Sequence, residues 1–123
     1  MMKRDSLTQR ILVADRNSLY LRLIENELHA LTGGRYAIVV ATRLSTIRRK
    51  ALEGCALLAI DHTLAAPQQL IALYHRLANV PVLFMGVGTP PAWIGELGLE
   101  WMDKSDYQSV PSLLDRLEKT RRI

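Results

Sequence analysis

The sequence predicts a doubly wound α/β domain: a five-stranded parallel sheet in the order 2-1-3-4-5 with five flanking helices. Three observations carry that prediction. Short apolar runs alternate with stretches of helical periodicity, and each intervening stretch has room for one crossover helix and little else. The runs are rich in Val, Ile, Leu and Ala without a polar alternation, as strands covered on both faces are. Two of them, from Arg10 to Asp15 and from Cys55 to Asp61, close on a carboxylate at the strand end where open α/β sheets hold ligands.

Taken in order, residues 1–9 are polar and mixed and read as a loose leader to a domain spanning 10–123. After the Asp15 strand, Asn17 or Ser18 caps a helix with Tyr20, Leu23, Ile24, Leu28 and Leu31 at helical spacing, stopped by Gly33-Gly34. The run from Tyr36 to Ala41 is the next strand. Ser45 then caps a short helix through Ile47, Ala51 and Leu52 that ends at Gly54. Beyond the Asp61 strand, a helix starts near Pro67, a residue suited to a first turn, and carries Leu70, Leu73, Tyr74 and Leu77. The fourth strand runs from Val80 to Met85, with its proline near the start, and Gly86 to Pro91 form a loop. The fourth helix, Ala92 to Gly98, has about two turns with a glycine inside and depends on packing to hold it. A short strand from Leu99 to Met102 leads into Asp103-Lys104-Ser105. The last helix begins near Asp106 or Ser109 with Val110, Leu113, Leu114 and Leu117, and 119–123 reads as the start of a linker.

Length alone argues for one domain with a core of its own. Cys55 is the only cysteine, so no internal disulfide forms, and a reducing, cytoplasmic setting follows. No apolar run reaches the ~18 residues of a membrane span, and Arg4, Asp5 and Arg10 break up the N-terminus, which lacks a secretory core. Sixteen basic residues against twelve acidic ones leave a net charge of +4, concentrated in Arg43, Arg48, Arg49 and Lys50 and in Lys119, Arg121 and Arg122. These clusters suit either phosphate contacts or a solvated helix face and a basic helix end. No aromatics interleave with them and no helix-turn-helix is present, so this segment reads no DNA directly.

In the order 2-1-3-4-5 the strand order reverses between the first and third strands, which places Asp15 and Asp61 on either side of one crevice. Two converging carboxylates suit a magnesium ion, which takes one or two of them and keeps waters for the rest. Lys104, closing the fifth strand, supplies a flexible positive charge opposite. The plainer alternative for Asp61 is a cap on the following turn. His29, His62 and His75 lack metal-ligand spacing, and only His62 lies beside the crevice.

At these positions the chain resembles the receiver domains of two-component response regulators, which have the flavodoxin-like fold. Residues 11–17 are similar to the family's first-strand signature, Asp61 stands at the phosphoacceptor position and residues 80–86 match the fourth strand. Trp101 stands at the aromatic switch and Lys104 at the family's lysine. The resemblance covers about residues 9–123. It implies signalling through protein contacts with a sensor kinase or an output domain, not turnover as an enzyme. It also implies a partner or homodimer face around Trp93, Ile94, Trp101, Tyr107 and Leu113, and a place as the N-terminal part of a transcriptional regulator. Either tryptophan reads equally as core.

Four positions depart from the family pattern: Arg16 replaces the second acid, Gly86 the hydroxyl residue, and Ala65 and Ser105 two prolines. Arg16 has the wrong sign for a dication site and either pairs with Asp15 or Asp61 or swings to solvent. Gly86 has no side chain to donate a hydrogen bond. The expectation is therefore a degenerate receiver with weak magnesium binding and impaired phosphorylation and switching. In it, Asp61 pairs with Arg16, Lys104 or both. The competing expectation is a small magnesium-dependent phosphotransfer or phosphohydrolase enzyme on the same sheet. It needs a second metal-ligating acid, and the nearest, Asp103, alternates away from Lys104.

Overall fold

The computed structural model describes residues 9–106 and 110–115. Strands β1 (Gln9–Ala14), β2 (Tyr36–Ala41), β3 (Leu57–Asp61), β4 (Val82–Gly86) and β5 (Glu100–Asp103) alternate with helices α1 (Ser18–Thr32), α2 (Leu44–Leu52), α3 (Pro67–Arg76) and α4 (Ala92–Glu96). Residues 110–115 are helical after β5. The strands form one sheet in the order β2-β1-β3-β4-β5, every pair parallel, as predicted. No helix of the described residues is long and apolar enough to cross a membrane.

The strands are apolar throughout because the sheet is covered on both sides. Alternate residues Ile11, Val13, Leu57, Ala59, Leu83, Met85 and Met102 meet Leu21, Ile24 and Leu28 of α1 and Leu113. The intervening set, Leu12, Leu58, Ile60, Val82 and Phe84, packs against Ile47 of α2, Leu70 and Leu73 of α3 and Ile94 of α4. Every residue of β3 and β4 is buried. Burial on that scale, at about 25 cal/mol per Å² of apolar surface, is the main stabilising contribution to the fold.

Local signals place most boundaries. Asn17 caps α1, its side chain accepting from the Tyr20 N–H, and Gly33 ends the helix at φ 60°, where a side chain would be strained. The Gln69 side chain accepts from the Ala66 N–H to close the first turn of α3 behind Pro67. The five-residue α4 is held by packing, with Ile94 only 1% exposed.

Three expectations change. Helix α1 turns Leu21, Ile24, Leu28 and Thr32 inward, leaving Leu23 and Leu31 exposed; buried Thr32 satisfies its hydroxyl by donating to the Leu28 carbonyl at 2.7 Å. Arg43, not Ser45, occupies the cap position of α2, without a side-chain cap bond. Strands β3 and β4 begin two residues later than expected and β5 one later, β4 after Pro81, which has no N–H for the ladder. Gln9 already pairs with Tyr36. Residues 1–8 of the expected leader, Tyr107 and the basic end at 116–123 lie outside the described residues.

Candidate functional site

Strands β1 and β3 are neighbours in register, Ala14 opposite Ile60, so Asp15 and Asp61 emerge side by side at the carboxyl edge. Strand alternation sets both in series with the residues that face α1. Lys104 follows Met102 in the same series and reaches back past β4 to both acids. Its Nζ donates to Asp15 Oδ2 at 2.6 Å and stands 2.7 Å from Asp61 Oδ2. Both carboxylates are 3% exposed as residues, so this is a buried cluster of two anions and one cation.

Each group is further anchored. Asp15 Oδ1 accepts from the Asn17 N–H at 2.9 Å. Asp61 Oδ1 accepts from the Thr63 N–H at 2.8 Å and from the Thr63 hydroxyl. The Lys104 ammonium lies 4.7 Å from the centre of the Tyr20 ring, a cation–π contact. Among the described residues no buried side-chain nitrogen or oxygen lacks a partner. At an effective dielectric near 20, each ion pair at this separation is worth several kcal/mol, roughly 4 at 4 Å, before the cost of desolvation is subtracted.

The ionisations follow from these contacts. Burial works to raise the Asp61 carboxyl, and hydrogen bonds from Lys104 and Thr63 overcome it and hold the group below its ordinary 3.8. Burial likewise works to lower Lys104, and its bonds to Asp15 and Asp61 outweigh that and raise it above 10.5. The Tyr20 phenol is pushed well up, first by burial and then by the charges of Asp15 and Asp61.

Gly86 lies in series with Val82 and Phe84, on the opposite side of the sheet from the acids. The space beside it is taken: a β-carbon there would stand 2.5 Å from Cη2 of Trp101 and 2.5 Å from Cδ2 of His62. The two rings meet edge-on at 5.3 Å, and Trp101 Nε1 donates to the Gly88 carbonyl at 3.1 Å. Asp103 Oδ1 accepts from the N–H groups of Gly88 and Ser105 and from the Ser105 hydroxyl. As expected it turns away from Lys104, and it ties the β4 loop to the end of β5.

The structure brings Asp15, Asp61 and Lys104 together and leaves Arg16 outside. Arg16 pairs with neither acid; Nη1 points to the Thr63 carbonyl at 3.5 Å, the long limit of a hydrogen bond. On the expected interface face, Ile94 and Leu113 are each 1% exposed and belong to the core. Trp93 is half-buried with its ring edge-on to Phe84 at 5.4 Å, and Trp101 is half-buried as described. Sequence reasoning missed Thr63 and Tyr20. A threonine two residues after an aspartate is a signal for the first, because such hydroxyls and amides bond locally to the carboxylate.

Magnesium demands six oxygens in near-ideal octahedral geometry. Here both Oδ2 atoms lie against the Lys104 ammonium, both Oδ1 atoms accept N–H bonds, and Arg16, next to Asp15 in the chain, brings no carboxylate. Among the described residues no group of three His, Cys, Asp or Glu side chains is placed to hold a metal. Asp15 and Asp61 are the two carboxylates that would hold magnesium, with waters for the rest, and the ion would compete there with the Lys104 ammonium.

No protein-family model and no curated protein matches the chain. Solved structures do. The signal receiver domain of a DNA-binding response regulator from Colwellia psychrerythraea is 12% identical with a TM-score of 0.75, over 90% of this chain and 98% of that one. A response regulator receiver domain protein from Bacillus halodurans is 20% identical with a TM-score of 0.69, over 89% and 96%. A chemotaxis response regulator of Vibrio cholerae is 16% identical with a TM-score of 0.66, over 89% and 98%. The doubly wound sheet of this chain is thus the receiver fold of response regulators, and at these identities the likeness speaks to the fold.

Proposed function

We propose that the chain is a receiver-like signalling domain of a two-component pathway that acts through protein contacts, with magnesium-dependent phosphorylation of Asp61 and the switching that follows from it impaired. The observation that supports this most strongly is the Lys104 ammonium lying between the two carboxylates, 2.6 Å from Asp15 and 2.7 Å from Asp61. Attack by an Asp61 oxygen on a phosphoryl donor needs a free lone pair and a cation to gather the incoming negative charge. Asp61 Oδ1 already accepts twice from Thr63, its Oδ2 lies against Lys104, and that one ammonium is shared between two carboxylates. Arg16 adds no acid to the site and Gly86 adds no hydroxyl.

In this reading the partner is a sensor kinase or an output domain, in the cytoplasm, and the chain forms the N-terminal part of a transcriptional regulator without touching DNA itself. It turns over no small phosphate ester, because among the described residues no further acid joins Asp15 and Asp61 at the rim and Asp103 is committed to the Gly88 loop. The test is intact mass after incubation with a small-molecule phosphodonor and magnesium. The expected spectrum has no phosphoryl adduct. A near-stoichiometric adduct that disappears in Asp61→Asn would overturn the proposal.

A further inference from the structure

Helix α1 commits one stripe, Leu21, Ile24, Leu28 and Thr32, to the core. At 100° per residue, Leu19, Leu23, Asn26 and Ala30 fall on the opposite side, and all four are exposed, the leucines at 64% and 60%. Single exposed leucines are ordinary. These four are spaced four, three and four residues apart, which is the seam of a two-stranded coiled coil.

We propose that this face is a self-association seam through which two copies of the chain pair with their α1 helices parallel. The flanking charges select both the occupant and the direction. In heptad terms Arg22 lies on one edge of the seam and Glu27 on the other, five residues on. In a parallel pair that spacing brings Arg22 of each copy against Glu27 of the other, twice around one two-fold axis. An antiparallel pair would instead bring Arg22 towards His29, with no acid opposite. Both Arg22 and Glu27 are exposed, and neither forms an ion pair among the described residues. Asn26 meets its own copy on the axis, a polar contact in the seam that costs stability.

The seam is short. Fifteen residues of helix span ~22 Å, and such a pair buries less than the ~1,200 Å² of a standard stable interface. Pairing is therefore weak and concentration-dependent, suited to chains held at high local concentration. The face lies apart from the Trp93 and Trp101 region and does not require the charged cluster to change.

Sedimentation velocity of the whole chain over a concentration series tests this. Dimer should grow with concentration, and Leu23→Glu should weaken it more than tenfold, with Leu23→Gln as an uncharged second variant and circular dichroism as the check on folding. Arg22→Glu and Glu27→Arg should each weaken pairing several-fold, and the double reversal should restore it. In a Cys55→Ser background, Asn26→Cys should give a disulfide-linked dimer under mild oxidation. A monomer at every concentration would overturn the proposal. So would a dimer indifferent to Leu23→Glu, or a double reversal as weak as the single ones.

Discussion

Trp101 lies against Gly86 with no allowance for a side chain: a β-carbon at residue 86 would come within 2.5 Å of the indole. The glycine therefore does more than lack a hydroxyl. It is the space into which Trp101 and His62 pack, and the Trp101 bond to Gly88 holds the ring there.

Gly86→Ser should push these rings outward. Both contacts are with the far ends of side chains, so the strain is relieved by rotation, and a loss of about 1 to 3 kcal/mol typical of overpacking is expected. Urea unfolding measures it, and tryptophan emission should shift to the red. Unchanged stability and emission would mean that Trp101 does not rest on residue 86.

Lys104→Met should leave two buried carboxylates side by side without a counter-ion. Breaking a buried pair in this way costs about 3 to 5 kcal/mol near neutral pH. Without the ammonium, burial and mutual repulsion favour the protonated acids in the folded state, so the variant should recover stability as pH falls. A variant as stable as the parent at neutral pH would contradict the buried cluster.

The parent should respond to pH in the opposite sense at its acid limb. The Asp61 carboxyl is held low in the fold, so its contribution is present above its unfolded value near 3.8 and is lost as pH falls through the lower folded value. Lys104 is raised, so its contribution is complete below 10.5 and is lost as pH climbs through its folded value. Tyr20, also raised, steepens the same alkaline limb. Urea midpoints against pH should show a plateau between these limits, and Asp61→Asn should flatten the acid limb.

Asn17→Ala should cost about 1 kcal/mol by removing the cap on Tyr20 N. Because Asp15 also accepts from the Asn17 backbone, which the substitution keeps, the charged cluster should survive. Thermal unfolding reads the loss, and an unchanged acid limb reads the survival.

Much of this was legible in the sequence because its signals were physical necessities. A strand buried on both faces must be apolar, which exposed β1, β3 and β4, and the carboxylates that end two of them marked the crevice. Lys104 was legible as a cation closing the last strand. Its simultaneous bond to both acids was not, since that depends on how far one flexible chain reaches across β4. Helix α1 misled because it carries leucines on two opposite stripes, and periodicity alone cannot say which faces the sheet. Thr32 went inward only because it satisfies its hydroxyl on Leu28. Arg16 lies on a loop, where charge alone does not say which oxygen it approaches.

In the proposed function, the Lys104 ammonium competes at Asp15 and Asp61 with a metal and a phosphoryl group. Titrating magnesium together with beryllofluoride, while following tryptophan fluorescence and amide chemical shifts around Asp15, Asp61 and Trp101, tests it most directly. No saturable change is expected in the parent chain, and Lys104→Ala should gain a response. Saturable binding at submillimolar magnesium in the parent chain, with Trp101 moving as the site fills, would contradict it.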